Sequence, residues 1–144
     1  MSQYIGIILA LISALFAALV AIFGKIGLKD IDSNTATSIR AVVMAVFLIT
    51  IVIIQGKTSN ISTIMRDHKA IAFIVLSGVA GALSWLFYFW ALKLGKVSQI
   101  APIDKLSVVF STILAVLILK ETISIKSAIG VIITTLGSIL VALG

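Results

Sequence analysis

Five apolar runs, each close to the length that crosses a bilayer and parted by short polar stretches, constrain this chain more than any other feature. A hydrocarbon core about 30 Å thick takes roughly 20 apolar residues of helix, and no backbone polar group can be left unpaired in lipid. The runs fall at approximately 4–24, 34–55, 70–94, 98–119 and 127–143 and use most of the 144 residues. These residues leave no room for a separate soluble domain. The chain therefore reads as an all-α membrane protein, a single transmembrane domain over 1–144 forming a bundle of five transmembrane helices. Composition agrees, because a soluble domain with 61% hydrophobic and 11% charged residues would expose a large apolar surface.

The formal charge of +6 would point to nucleic acid in a soluble protein. Here the basic residues sit singly at the ends of apolar runs, which is interface anchoring, and no nucleic-acid surface is expected. The run that begins at Tyr4 has no Lys or Arg before it and outlasts a signal-peptide core, so it reads as a retained helix. The segment from Gly56 to Lys69 reads as a surface loop, and the polar stretch Ser33 to Thr37 as the cap of the second helix.

Five spans put the two termini on opposite sides of the membrane. Lys57, Arg66, Lys69, Lys120 and Lys126 then share the amino-terminal side, and Lys25, Lys29, Arg40, Lys93 and Lys96 the other, a tally of five against five. Because Lys/Arg bias orients a membrane protein, two readings fit: insertion both ways round, which permits an antiparallel dimer, or orientation set by a few residues near the first helix.

Small residues recur at helical spacing in the first span (Ala10, Ala14, Ala17, Ala21, Gly24) and in the fifth (Ser127, Gly130, Thr134, Gly137). Either stripe reads as ordinary helix packing or as a dimer seam, and packing suits the first better. The third span carries Ser77, Gly81, Ser84 and Tyr88 on one stripe with Trp85 beside it, a polar and aromatic face fit to line a solvated substrate cavity. Trp90, nearer the interface, reads as an anchor.

Charge inside the membrane is the sharpest signal. Asp104 and Lys105 follow Pro102 and lie roughly 9 Å into the fourth helix, and Arg40 lies roughly 10 Å into the second. An ionised group at such depth needs a partner or water, so all three are candidates for substrate binding or coupling. Neighbours on a helix point about 100° apart, so Asp104 and Lys105 are not expected to neutralise one another, and Arg40 is the expected partner of Asp104. That pair reads equally as a structural clamp. With no Cys, one loop histidine (His68) and no nucleophile–base set, phosphate loop or metal cluster, no cofactor, metal or enzymatic chemistry is expected.

With these residues laid out, the chain resembles the EamA family of the drug/metabolite transporter superfamily. The resemblance lies in Phe23-Gly24-Lys25-Ile26-Gly27-Leu28-Lys29-Asp30, Ile39-Arg40, Tyr88-Phe89-Trp90-Ala91-Leu92-Lys93-Leu94-Gly95, Ala101-Pro102-Ile103-Asp104-Lys105-Leu106-Ser107 and Glu121. Such transporters typically pair two inverted five-helix repeats around a central cavity for amino acids or other metabolites. This chain looks like one repeat, which implies a homodimer or a paired half-transporter in a bacterial or archaeal inner or plasma membrane. The family's usual Gly-Glu before the last helix is Lys120-Glu121 here. The first helix has no acid, so the drug/proton antiport of the four-helix multidrug relatives does not carry over. Two functions fit: a secondary transporter of small polar metabolites, with Arg40, Ser84, Trp85, Tyr88, Asp104 and Lys105 at its site, or a non-transporting scaffold or accessory subunit.

Overall fold

Each apolar run closes its backbone hydrogen bonds within helix, as lipid demands. In the computed structural model, which describes residues 2–144, helix is the regular structure throughout, with no strand among those residues. In chain order the helices are α1 (Ser2–Gly27), α2 (Ser33–Ile54), α3 (Ser59–Arg66), α4 (His68–Leu94), α5 (Val97–Asp104), α6 (Ser107–Ile118) and α7 (Ile125–Leu143). Five stretches are long and apolar enough to cross a membrane: Tyr4–Gly27, Ser33–Ile54, His68–Leu94, Val97–Ile118 and Ile125–Leu143. Those are the five spans expected from sequence, shifted by a few residues at their ends.

Local chemistry sets the ends. The cap of α2 is Asp32, one residue before the polar stretch expected to supply it: its Oδ1 accepts from the Thr35 backbone N–H and from the Thr35 hydroxyl, both at 2.8 Å. Those donors, the backbone one first, hold the Asp32 carboxyl below its ordinary pKa of 3.8. At its other end α2 closes on Gly56, whose φ of 64° lets Gly56 N–H reach Ile53 O and Lys57 N–H reach Val52 O. Asp67 caps α4 by accepting from the N–H groups of Lys69 (3.1 Å) and Ala70 (3.0 Å), and Ser124 caps α7 by accepting from Ser127 N–H at 3.1 Å.

Three expectations are corrected. The supposed surface loop between the second and third spans holds α3, because Ile61, Ile64 and Met65 recur at i, i+3 and i+4 and give an amphipathic helix of about two turns with an exposed apolar face. The fourth span is two helices, α5 and α6, rather than one. Across its break the N–H groups of Lys105, Leu106, Val108 and Val109 bond three residues back, at 2.9–3.1 Å, so the chain winds tighter than an α-helix just beyond Pro102. The long, flexible lysine stem overturns the third expectation: Lys105 Nζ curls back to within 3.7 Å of Asp104 Oδ2, so the neighbours do pair.

Lys120 takes the place of the family's usual glycine and adopts the glycine conformation, with φ 56°. Glu121 N–H can then reach Ala115 O at 3.2 Å. The turn is kept with a side chain in the left-handed region, which strains it.

Two compact units divide the chain. One gathers the first helix through Lys25 with Leu94–Gly144, and the other is Ile26–Lys93. In the first, α7 packs on α5 and touches α6, and Lys25 Nζ donates to Gly95 O at 2.8 Å. In the second, Lys93 Nζ at the end of α4 donates to Ile31 O at 2.8 Å, just before α2. Its buried residues, Leu28, Ser33, Thr37, Phe89 and Leu92, belong to that same end, where α2 begins and α4 finishes. Most large apolar side chains are exposed, as those of a lipid-facing surface would be, up to 78% for Ile54 and 80% for Leu143. The small-residue stripes are packed only in part: Ala10, Ala14 and Ala17 are exposed while Ala21 is buried, and a Cβ built on Gly130 or Gly137 meets nothing within 4 Å.

Candidate functional site

The unit Ile26–Lys93 holds the site with the most unusual chemistry. Arg40 sits two turns into α2, where the helix turns its side chain toward α4. On α4, Trp85 and Phe89 lie four residues apart and so share a face. The guanidinium Cζ stands 3.3 Å above the Phe89 ring centroid and 4.5 Å from that of Trp85. Phe89 is itself held edge-on by Trp85 (centroids 6.3 Å, planes at 76°) and by Tyr88 (5.3 Å, 80°) and is only 1% exposed. Such cation–ring contacts are worth about 2 kcal/mol where water is kept out. The arginine gains no comparable stabilisation on its donor side, since its Nε and Nη2 atoms are buried and have no hydrogen-bond partner.

Beside this stack a cavity of about 440 Å³ opens between α2 and α4. Thr37, Ser38 and Met44 line it from α2, and Gly78, Gly81 and Trp85 from α4. Trp85 belongs to both features, carrying Arg40 and walling the cavity. Glycines make the room: a Cβ built on Gly78 or Gly81 meets nothing within 4 Å. The hydroxyl of Thr37 is already given to Ser33 O (2.7 Å) and that of Ser38 to Asn34 O (3.0 Å), so each still offers lone pairs.

The sequence candidates divide as follows. Arg40 and Trp85 come together. Tyr88 stands next to them through Phe89, while Ser84 is exposed and does not line the cavity. Asp104 and Lys105 belong to the other unit, where they pair with each other at the α5–α6 break, 38% and 56% exposed respectively. Phe89, the residue closest to the guanidinium, was not singled out by sequence; its signal was the four-residue spacing from Trp85. Trp90 is exposed, as an interface anchor is. No group of three or more metal-ligating side chains occurs among the described residues.

A model of the EamA-like transporter family matches residues 4–143, nearly the whole chain and all five spans. The chain belongs to the EamA-like transporter family. It is therefore a multi-pass membrane transporter, all-helical, with five spans. A protein of a Sinorhizobium species described as an uncharacterized transporter in the cobO 3' region is 43% identical over 133 residues, covering 92% of this chain and 93% of that one. An uncharacterized protein of Methanocaldococcus jannaschii is 30% identical over 138 residues, covering 96% of each. No solved structure matches the chain.

Proposed function

We propose that this EamA-like protein is a secondary transporter of small polar metabolites, amino-acid-like or other, working as a dimer of five-helix halves, parallel or antiparallel, in a bacterial or archaeal cell membrane. The observation that carries the substrate side of this reading is Arg40, a cation roughly 10 Å inside a span with two buried, unpartnered donors, beside a cavity of metabolite size. Desolvating a charge there costs several kcal/mol, more than the about 2 kcal/mol returned by the aromatic contacts, and the two unpartnered donors leave room for a ligand to offset the rest.

The dimer rests on different support. The matches span 93% and 96% of the two relatives, so those relatives are themselves about as long as this chain. Secondary transporters commonly pair two repeats around a site near the bilayer midplane and build that site from interrupted helices, as the fourth span is between Asp104 and Ser107. The near-even distribution of Lys and Arg, five against five with Lys105 inside the fourth span left uncounted, permits an antiparallel pair. A bacterial and an archaeal relative support the membrane assignment.

Substrate-dependent flux in liposomes containing only this protein is the deciding measurement. Saturable uptake of at least one solute from a panel of amino acids, organic acids and amines is the expected result; none across the panel would turn the reading toward an accessory subunit. Reporter fusions at Gly144 test the arrangement, with signal from both sides expected for an antiparallel homodimer and from one side for a parallel one.

A further inference from the structure

Resting on the transporter reading, we propose that Arg40 receives the carboxylate of the transported solute side-on, through Nε–H and Nη2–H, with Phe89 and Trp85 as its aromatic support. The argument begins with the 3.3 Å between Cζ and the Phe89 centroid. Guanidinium C–N bonds are about 1.3 Å long, so an arginine standing on edge would drive a nitrogen to about 2 Å from the ring, well inside contact distance. The guanidinium therefore lies flat on Phe89. Its N–H bonds then run parallel to the ring, and the π face satisfies the charge but not the donors.

Nε and Nη2 flank the same edge of the guanidinium, and both are buried without a partner. Two parallel N–H donors on a planar cation are the complement of a carboxylate, which accepts both at once. Left unpaired, each buried charged donor is a standing penalty, so a ligand that bonds both is strongly favoured. The chain's own acids are engaged elsewhere or exposed. Asp32 accepts from Thr35, Asp67 from Lys69 and Ala70, and Asp104 pairs with Lys105, while Asp30 and Glu121 are exposed.

The solute's remainder would lie in the cavity that shares Trp85, where Thr37 and Ser38 offer acceptors and Gly78 and Gly81 leave space. Both donors are covered, so binding requires Arg40 to slide along its two rings toward that cavity. A single guanidinium matches a single negative charge. A phosphate monoester, at about −1.5 to −2, would keep charge unmatched in a low-dielectric site, so a carboxylate is the better fit.

The two tryptophans, Trp85 and Trp90, make the test direct. In a Trp90→Phe background, reconstituted in phosphatidylcholine nanodiscs whose lipid brings no carboxylate, Trp85 fluorescence is titrated with matched pairs: alanine and alaninamide, propionate and propionamide, and inorganic phosphate. Saturable change with the carboxylates and none with the amides is expected, weakened at least tenfold in Arg40→Lys, which keeps the charge but loses the two-donor edge. Equal response to acid and amide, tighter binding of phosphate, no response to any probe, or unchanged binding in Arg40→Lys would each overturn the proposal. So would rescue of Arg40→Asp by Asp104→Arg, which would give the edge to Asp104. Flux in liposomes separates this inference from the reading beneath it. Transport of amines or neutral solutes but not carboxylates sinks the inference alone, and carboxylate binding without flux of anything sinks the transporter reading.

Discussion

Replacing Phe89 by leucine keeps most of the buried apolar volume and deletes the ring on which Arg40 rests. In lipid the transfer of apolar surface contributes little, because the tails are as apolar as leucine, so the loss is dominated by contacts special to the ring. Two edge-on aromatic pairs, with Trp85 and Tyr88, are worth about 0.5–1.5 kcal/mol each. The contact with Arg40 belongs near the upper end of the cation–π range, about 2 kcal/mol, because the guanidinium's Nε and Nη2 are buried. Phe89→Leu should therefore cost about 3–5 kcal/mol in total. Arg40→Met, which keeps an unbranched apolar stem and removes the unpaired donors, should cost far less in the Phe89→Leu background than in the wild type. The double-mutant cycle isolates the contact itself, with an expected coupling of about 1–2 kcal/mol, roughly 5- to 30-fold in the unfolding equilibrium. Reversible unfolding in mixed micelles, followed by tryptophan fluorescence, reads all four corners. A coupling below about 0.5 kcal/mol, within the scatter of independent sites, would refute the stack as an energetic feature.

Lys120→Gly should raise the thermal midpoint, by about 0.5–1 kcal/mol of stability, because glycine adopts the φ of 56° there without strain, whereas Lys120→Val should lower it. Asp32 should make stability fall in acid: its carboxyl is held below its ordinary pKa of 3.8, so its contribution is complete above that value and is lost as the pH drops through the lower folded one. Asp32→Ala should melt earlier at neutral pH and show less of that acid dependence, and an unchanged acid limb would count against the cap. The absence of cysteine lets single-cysteine labels map α3 in bilayers. A fluorophore at Ile64→Cys should be shielded from an aqueous quencher and one at Thr63→Cys should not; equal quenching would mean that the apolar face of α3 does not meet the membrane.

Much of this fold is written locally. Run length gave the spans, because lipid forces each run to satisfy its own backbone, and Asp67, Gly56 and Ser124 mark helix ends by chemistry that needs no distant partner. The break in the fourth span was only half legible. Pro102 and the Asp104–Lys105 pair were conspicuous, but a change from four-residue to three-residue bonding over so few residues is too short to leave a periodicity of its own. The short helix α3 reads as a loop in sequence because eight residues carry too little periodicity to stand out against a polar setting.

The face of α4 shows why one candidate was readable and another was not. Hydroxyls in a span say little about which way a helix turns, because they can be satisfied at home. Thr37, Thr50, Thr112, Thr134 and Thr135 each donate to the carbonyl four residues earlier on their own helix, at 2.7–2.9 Å. Ser84 thus carries no obligation to face a cavity, and its stripe shares Gly81 with the wall formed by Gly78, Gly81 and Trp85 but otherwise runs one position away from it. A guanidinium has no such local solution: five donors and a charge exceed what its own turn can accept. Arg40 therefore had to cross to another helix, and in a span with few polar groups the available support was the electron-rich face of a ring. A lone arginine in one span, set against aromatic residues four apart in another, fixes the facing sides of both helices more firmly than any stripe of serines.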